Sequence, residues 1–146
     1  MINKGCTQNK QGGFSLSELM ITVLLIGIIS GIAYPSYIDQ IMKSRRGDAT
    51  AALLTTLVKQ ETYYSYHGVY TADMSELGFG ADPASSEKGF YQIDGVVDGT
   101  AQNFTLTATR LGIQADDTVC GDLTLTSTGV KSATNNTETN PAQNCW

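Results

Sequence analysis

Residues 14–34 form an apolar run of 21 residues that holds no basic side chain and one acid, Glu18. As an α-helix, at 1.5 Å per residue, the run spans about 31 Å, close to the roughly 30 Å hydrocarbon core of a bilayer. Nothing later in the chain resembles it. A helix apolar on all sides needs cover from lipid or from other chains. The remainder is rich in Thr, Asn, Asp, Gly and Ala, and 146 residues suffice for one domain with a modest core. This is the pattern of a polar exported domain behind a membrane segment.

Residues 1–13, MINKGCTQNKQGG, are short, polar and basic. They lack the apolar core of a secretory signal, and no A-x-A site follows the apolar run. Gly12 and Gly13 instead sit immediately before it. A cut after Gly13 leaves the apolar run on the mature chain, starting at Phe14. Lys4 and Lys10 favour a cytoplasmic N-terminus, while Lys43, Arg45 and Arg46, several residues past the run, weaken that argument. The cysteines carry more weight. Of Cys6, Cys120 and Cys145, the first leaves with the leader if cleavage follows Gly13. The remaining pair in an exported domain reads as a disulfide, which needs an oxidising compartment. Its loop of about 25 residues is worth roughly 3 kcal/mol in the chain-entropy model.

Glu18 is the anomaly of the apolar run. An acid in a membrane span costs about 2.5–3.5 kcal/mol on insertion scales. Either it reaches the interface from the helix start, or it pairs with a cation of another chain. The natural candidate for that cation is the α-amino group freed on Phe14 of a neighbour. Such a pair would set the axial register of packed helices.

The helical pattern continues past Pro35, with Ala49, Ala52, Leu53, Leu57 and Tyr64 recurring at spacings of three and four. Gly68 is a helix stop. A helix over 14–67 is on the order of 80 Å long, more than a domain of this size can bury. Its first half must therefore protrude into lipid or other subunits. Residues 68–89 read as an irregular connection with one short helical turn at 73–77. Strand patterns follow at 90–93, 104–109 and 123–126, with a turn at Ser127, Thr128 and Gly129 leading to Val130. The expected fold is α+β: a long N-terminal helix packed on a three- to four-stranded antiparallel sheet.

The stretch GGFSLSELMITVLLIGIISGIAYPSY closely resembles the N-terminal motif of type IV pilins. The motif is a Gly, then Phe, then an acid five residues into the mature chain, in an apolar helix ending near a Pro. Here these are Gly13, Phe14, Glu18 and Pro35. Ser15 and Ser17 stand where Thr and Ile are more frequent. The segment TLTSTGVK, a Cys before it and a terminal Cys-Trp also resemble the end of pilins, particularly a small minor-pilin group.

The resemblance implies a ladle-like pilin fold with a C-terminal loop bounded by Cys120 and Cys145. It implies cleavage between Gly13 and Phe14 by a prepilin peptidase, which also N-methylates Phe14. The leader is then 1–13, the protruding assembly helix 14–42 and the periplasmic head 43–146. Gly27 and Pro35 bound a stretch that often loses helical structure in assembled pili. The implied function is that of a structural subunit, a minor pilin, of a type IV pilus serving adhesion, twitching motility or DNA uptake. Its partners would be other pilin subunits, the peptidase and the inner-membrane assembly platform. It would wait in the inner membrane, head in the periplasm, before joining an extracellular pilus. The alternatives are a major pilin or a pseudopilin of a type II secretion system; the C-terminal cysteines count against the latter.

Other functions find little support in the residues. From Glu61 onward three basic residues face eleven acids, so no direct nucleic-acid binding is expected. His67 is the only histidine, and no Ser/His/Asp or Cys/His arrangement surrounds it. Asp116, Asp117 and Asp122 do not match an EF-hand and read as a solvated acidic patch. Asn103 and Asn135 begin sequons, weak evidence in a bacterial-type protein. No metal, cofactor or enzyme activity is expected. A membrane-anchored enzyme or ligand-binding module is the rival from another class.

Overall fold

The computed structural model describes residues 13–134 and 145–146. Lys4, Cys6, Lys10, Asn135 and most of the loop expected over 132–143 lie outside the described residues. The chain divides into two compact units, Met1–Ile38 and Asp39–Trp146. Helix α1, Leu16–His67, begins in the first and ends in the second.

In the first unit the apolar side chains of α1 are exposed, from Leu16 at 79% to Tyr34 at 69%. In the second, α1 has a buried face. Ala49, Leu53, Thr56 and Gln60 recur at spacings of four, three and four and are fully buried, with Ala52 and Leu57 packed alongside. Gln60 is tolerated there because its amide brackets Thr71, donating to the backbone carbonyl and accepting from the backbone N–H. The helix ends at Gly68, whose positive φ lets its N–H reach the Tyr64 carbonyl at 2.8 Å.

The sheet is an antiparallel meander of five strands in chain order: β1 (Ala84–Ser85), β2 (Tyr91–Val97), β3 (Phe104–Arg110), β4 (Leu123–Thr126) and β5 (Lys131–Ala133). It exceeds the expected three to four strands through short edge strands. Tyr91, Ile93, Phe104, Leu106, Ala108, Leu123 and Leu125 alternate into one core with Ala49, Leu53 and Met74. The strand expected over 90–93 in fact runs on to Val97, through Asp94 and Gly95. At Gly95 a Cβ would lie 2.8 Å from Met74 Cε and 3.3 Å from Leu106 Cδ2. The glycine therefore serves close approach within a strand, not a turn.

The segment expected as a helical turn at 73–77 is a hydrogen-bonded turn, with Phe79 N–H on the Met74 carbonyl at 3.2 Å. Asp98 organises the β2–β3 connection. It accepts from the Asn103 amide, the Thr100 hydroxyl and the backbone N–H groups of Gln102 and Thr100, which hold its carboxyl below the usual range. A 3-10 helix, Gly112–Asp116, joins β3 to the segment holding Cys120.

Candidate functional site

The candidate assembly site is the start of α1. Gly13 precedes the helix, Phe14 is exposed, and Glu18 falls in the first turn. The Ser15 carbonyl accepts the N–H groups of Glu18 and Leu19 at 3.1 and 3.2 Å, so the helix is already closed there. The helix dipole favours an acid at this position. Thr22 turns its hydroxyl back to the Leu19 carbonyl at 2.8 Å, hiding a polar group in the apolar run. By length and composition this part of α1 can cross a membrane. Gly27, Gly31 and Pro35 all lie within α1, which is continuous in this single chain.

The far end of the chain is held by a buried polar network that the sequence reading missed. Arg46 Nε and Nη2 donate to Asp117 Oδ2 and Oδ1 at 2.6 and 2.8 Å. Asp117 is buried, so it is no part of a solvated acidic patch; only Asp116 of the three is fully exposed. Asp122 pairs with Arg110 at 2.9 Å. Burial pulls the Asp117 carboxyl upward, but the hydrogen bonds and charge of Arg46 outweigh it and leave it lowered. The Gln114 amide donates to the Tyr91 hydroxyl at 3.0 Å and to Asp117 at 3.1 Å. The Cys120 N–H donates to Asp117 as well, at 3.4 Å. The network thus ties α1 to the segment carrying the disulfide.

Cys120 and Cys145 are bonded, with Cα atoms 5.6 Å apart. Trp146 packs against the core and donates its indole N–H to the Ser132 carbonyl at 3.0 Å. His67 stacks on Tyr63 at 4.0 Å, a structural role. Among the described residues no group of three or more His, Cys, Asp or Glu side chains is placed to hold a metal.

A helix with an apolar, acid-bearing start, continued along an antiparallel meander and closed by a C-terminal disulfide, defines a pilin-type subunit. Residues 35–124 match a family described as type IV minor pilin ComP, DNA uptake sequence receptor. Residues 8–34 match the prokaryotic N-terminal methylation motif. The chain belongs to this family and is a type IV pilin.

Fimbrial protein EcpC of Eikenella corrodens is 35% identical over 68% of this chain and 62% of its own length. The type IV major pilin PilE1 of Neisseria gonorrhoeae is 30% identical over 76% of this chain and 64% of its own. Both matches span less than two thirds of those relatives. A solved type IV pilin of Shewanella oneidensis aligns with a TM-score of 0.52 at 28% identity, covering 72% of this chain and 97% of that one. All three carry the names of fimbrial or pilin subunits.

Proposed function

We propose that this chain is a minor subunit of a type IV pilus, cleaved after Gly13, N-methylated on Phe14 and assembled through residues 14–42, with residues 43–146 as the head. The observation that carries this is the match of residues 35–124 to the minor-pilin family, continuous with a methylation motif over 8–34. The exposed apolar side chains of residues 14–34 would exchange lipid for the helices of other subunits. Glu18 would dock on the methylated amine of a neighbouring Phe14. The prepilin peptidase and the inner-membrane platform are the partners this route requires. DNA uptake is the process proposed for it, on the family's description; adhesion and twitching motility are the rivals.

Mass spectrometry of sheared surface filaments and of the inner-membrane fraction tests this reading, following the peptide that begins at Phe14. Methylated Phe14 at trace stoichiometry in filaments is the expected result. High abundance would make the chain a major pilin. Confinement to the membrane would make it a pseudopilin, and an intact leader would overturn the cleavage. Glu18→Gln should leave the chain in the membrane fraction with its head folded, because Glu18 lies outside the core.

A second reading, that the head itself contacts DNA, has the family description in its favour. Lys43, Lys88 and Lys131 are exposed outside any ion pair among the described residues, and Lys131 lies 5.0 Å over the Trp146 ring. The acid surplus of the head opposes it. Titrating the full chain in detergent with duplex DNA at several salt concentrations decides. Affinity that falls with salt supports DNA contact; no binding at low salt restores the expectation of none.

A further inference from the structure

Asp48 is 7% exposed, and among the described residues no cation lies within ion-pairing distance of it. Its Oδ2 accepts the Ser86 hydroxyl at 2.6 Å and its Oδ1 the Lys88 backbone N–H at 3.2 Å. These two donors leave acceptor sites unused on both oxygens. A buried carboxylate recovers lost hydration only through hydrogen bonds and a counter-charge, and here only the first is present. Lys88, whose backbone N–H meets Asp48, carries an exposed side chain outside any ion pair among the described residues, and three other cations are engaged elsewhere. Arg45 lies over Phe90 at 4.6 Å, Arg46 holds Asp117, and Lys59 donates to the Leu77 carbonyl while sitting 4.4 Å over Phe79.

Asp48 lines a cavity of about 230 Å³ in the head, together with Ser86, Glu87, Thr55, Ala52 and Phe79. This is below the roughly 300–1,000 Å³ of pockets for drug-sized ligands, so it suits a group the size of one side chain. A buried carboxylate beside an apolar wall matches a cation carried on a hydrocarbon stem.

We propose that this cavity binds an alkylammonium group, its charge paired with Asp48 and its stem against Ala52 and Phe79. Two sources present that chemistry: a lysine side chain of a neighbouring subunit, and a free alkylamine. The binding site itself does not depend on the pilus reading above.

The test is an NMR titration of the isotope-labelled full chain in detergent with n-butylammonium chloride, against n-butanol and sodium chloride as controls. Saturable shifts at the amides of Asp48, Ala52, Thr55 and Ser86, absent with both controls, are expected. Asp48→Asn should weaken binding at least tenfold. Should that variant not fold, Thr55→Leu fills the exposed rim, leaves the hydrogen bonds of Asp48 in place, and should abolish binding. An equal response to n-butanol would overturn the proposal. So would non-saturating shifts spread equally over Asp94, Asp98 and Asp116. Carbodiimide cross-linking of assembled pili separates the sources. Coupling of Asp48 or Glu87 to a lysine of another subunit identifies a neighbour, whereas saturable butylammonium binding without that coupling identifies a free amine.

Discussion

Arg46 on α1 and Asp117, 71 residues later, form a two-pronged ion pair whose carboxylate side chain is 1% exposed. Removing one partner leaves the other charge buried, which costs about 3–5 kcal/mol. Asp117→Asn should lower stability by that amount in denaturant titrations followed by Trp146, the only tryptophan. The folded carboxyl is held below its unfolded value of about 3.9. The stability it contributes is therefore present above about pH 4 and is lost as pH falls further. The variant should show a shallower acid decline than the parent chain.

Tyr91 predicts the opposite limb. Burial is the main cause that pushes its hydroxyl up to about 12; Asp117 adds to the shift, while the Gln114 hydrogen bond opposes it. The folded state holds a proton that the unfolded state releases near pH 10. Stability is complete below about pH 10 and drops by roughly 2–3 kcal/mol as pH rises toward 12. In Tyr91→Phe the alkaline slope of unfolding free energy should be shallower by about one proton.

Gly95 should tolerate a methyl poorly and a branched side chain worse. Met74 Cε, at the end of a flexible side chain, can swing away from an added Cβ, so Gly95→Ala should cost about 1 kcal/mol. Gly95→Val also crowds Leu106 and should cost about 3 kcal/mol. Equal stability of the two variants, by thermal unfolding, would remove close approach as the reason for this glycine.

The bond between Cys120 and Cys145 closes a separation of 25 residues. Cys145→Ser should cost about 3 kcal/mol through the freed unfolded chain. The parent chain under reductant should match it in denaturant midpoint.

Gly27, Gly31 and Pro35 weaken α1 locally, each glycine by about 1 kcal/mol relative to alanine, and Pro35 by removing a backbone donor. Cryo-EM of filaments containing this subunit should show helix lost between residues 27 and 35. A continuous helix there would refute the expectation.

Much of this fold was legible because its signals are local. The helix announces itself by uninterrupted apolar residues and then by a spacing of three and four, which Ala49 and Leu53 satisfy at full burial. Alternation in residues 104–109 and 123–126 located β3 and β4 to within a residue. β1 carries no such signal, because two residues become a strand only by pairing Ala84 with Ile93 and Ser85 with Gln92. The strand pattern read at 90–93 stops short of Asp94 and Gly95, which join β2 only where Met74 and Leu106 close over the glycine.

Residues 14–34 determined by themselves that part of this chain needs cover from outside its own fold, because no arrangement of so short a domain can bury so long an apolar helix. The partner of Arg46, the burial of Asp48 beside Ser86 and the meeting of Gln114 with Tyr91 were decided only in the tertiary structure. A charged residue in isolation reads the same whether solvated or paired; burial and the geometry of distant segments select between the two.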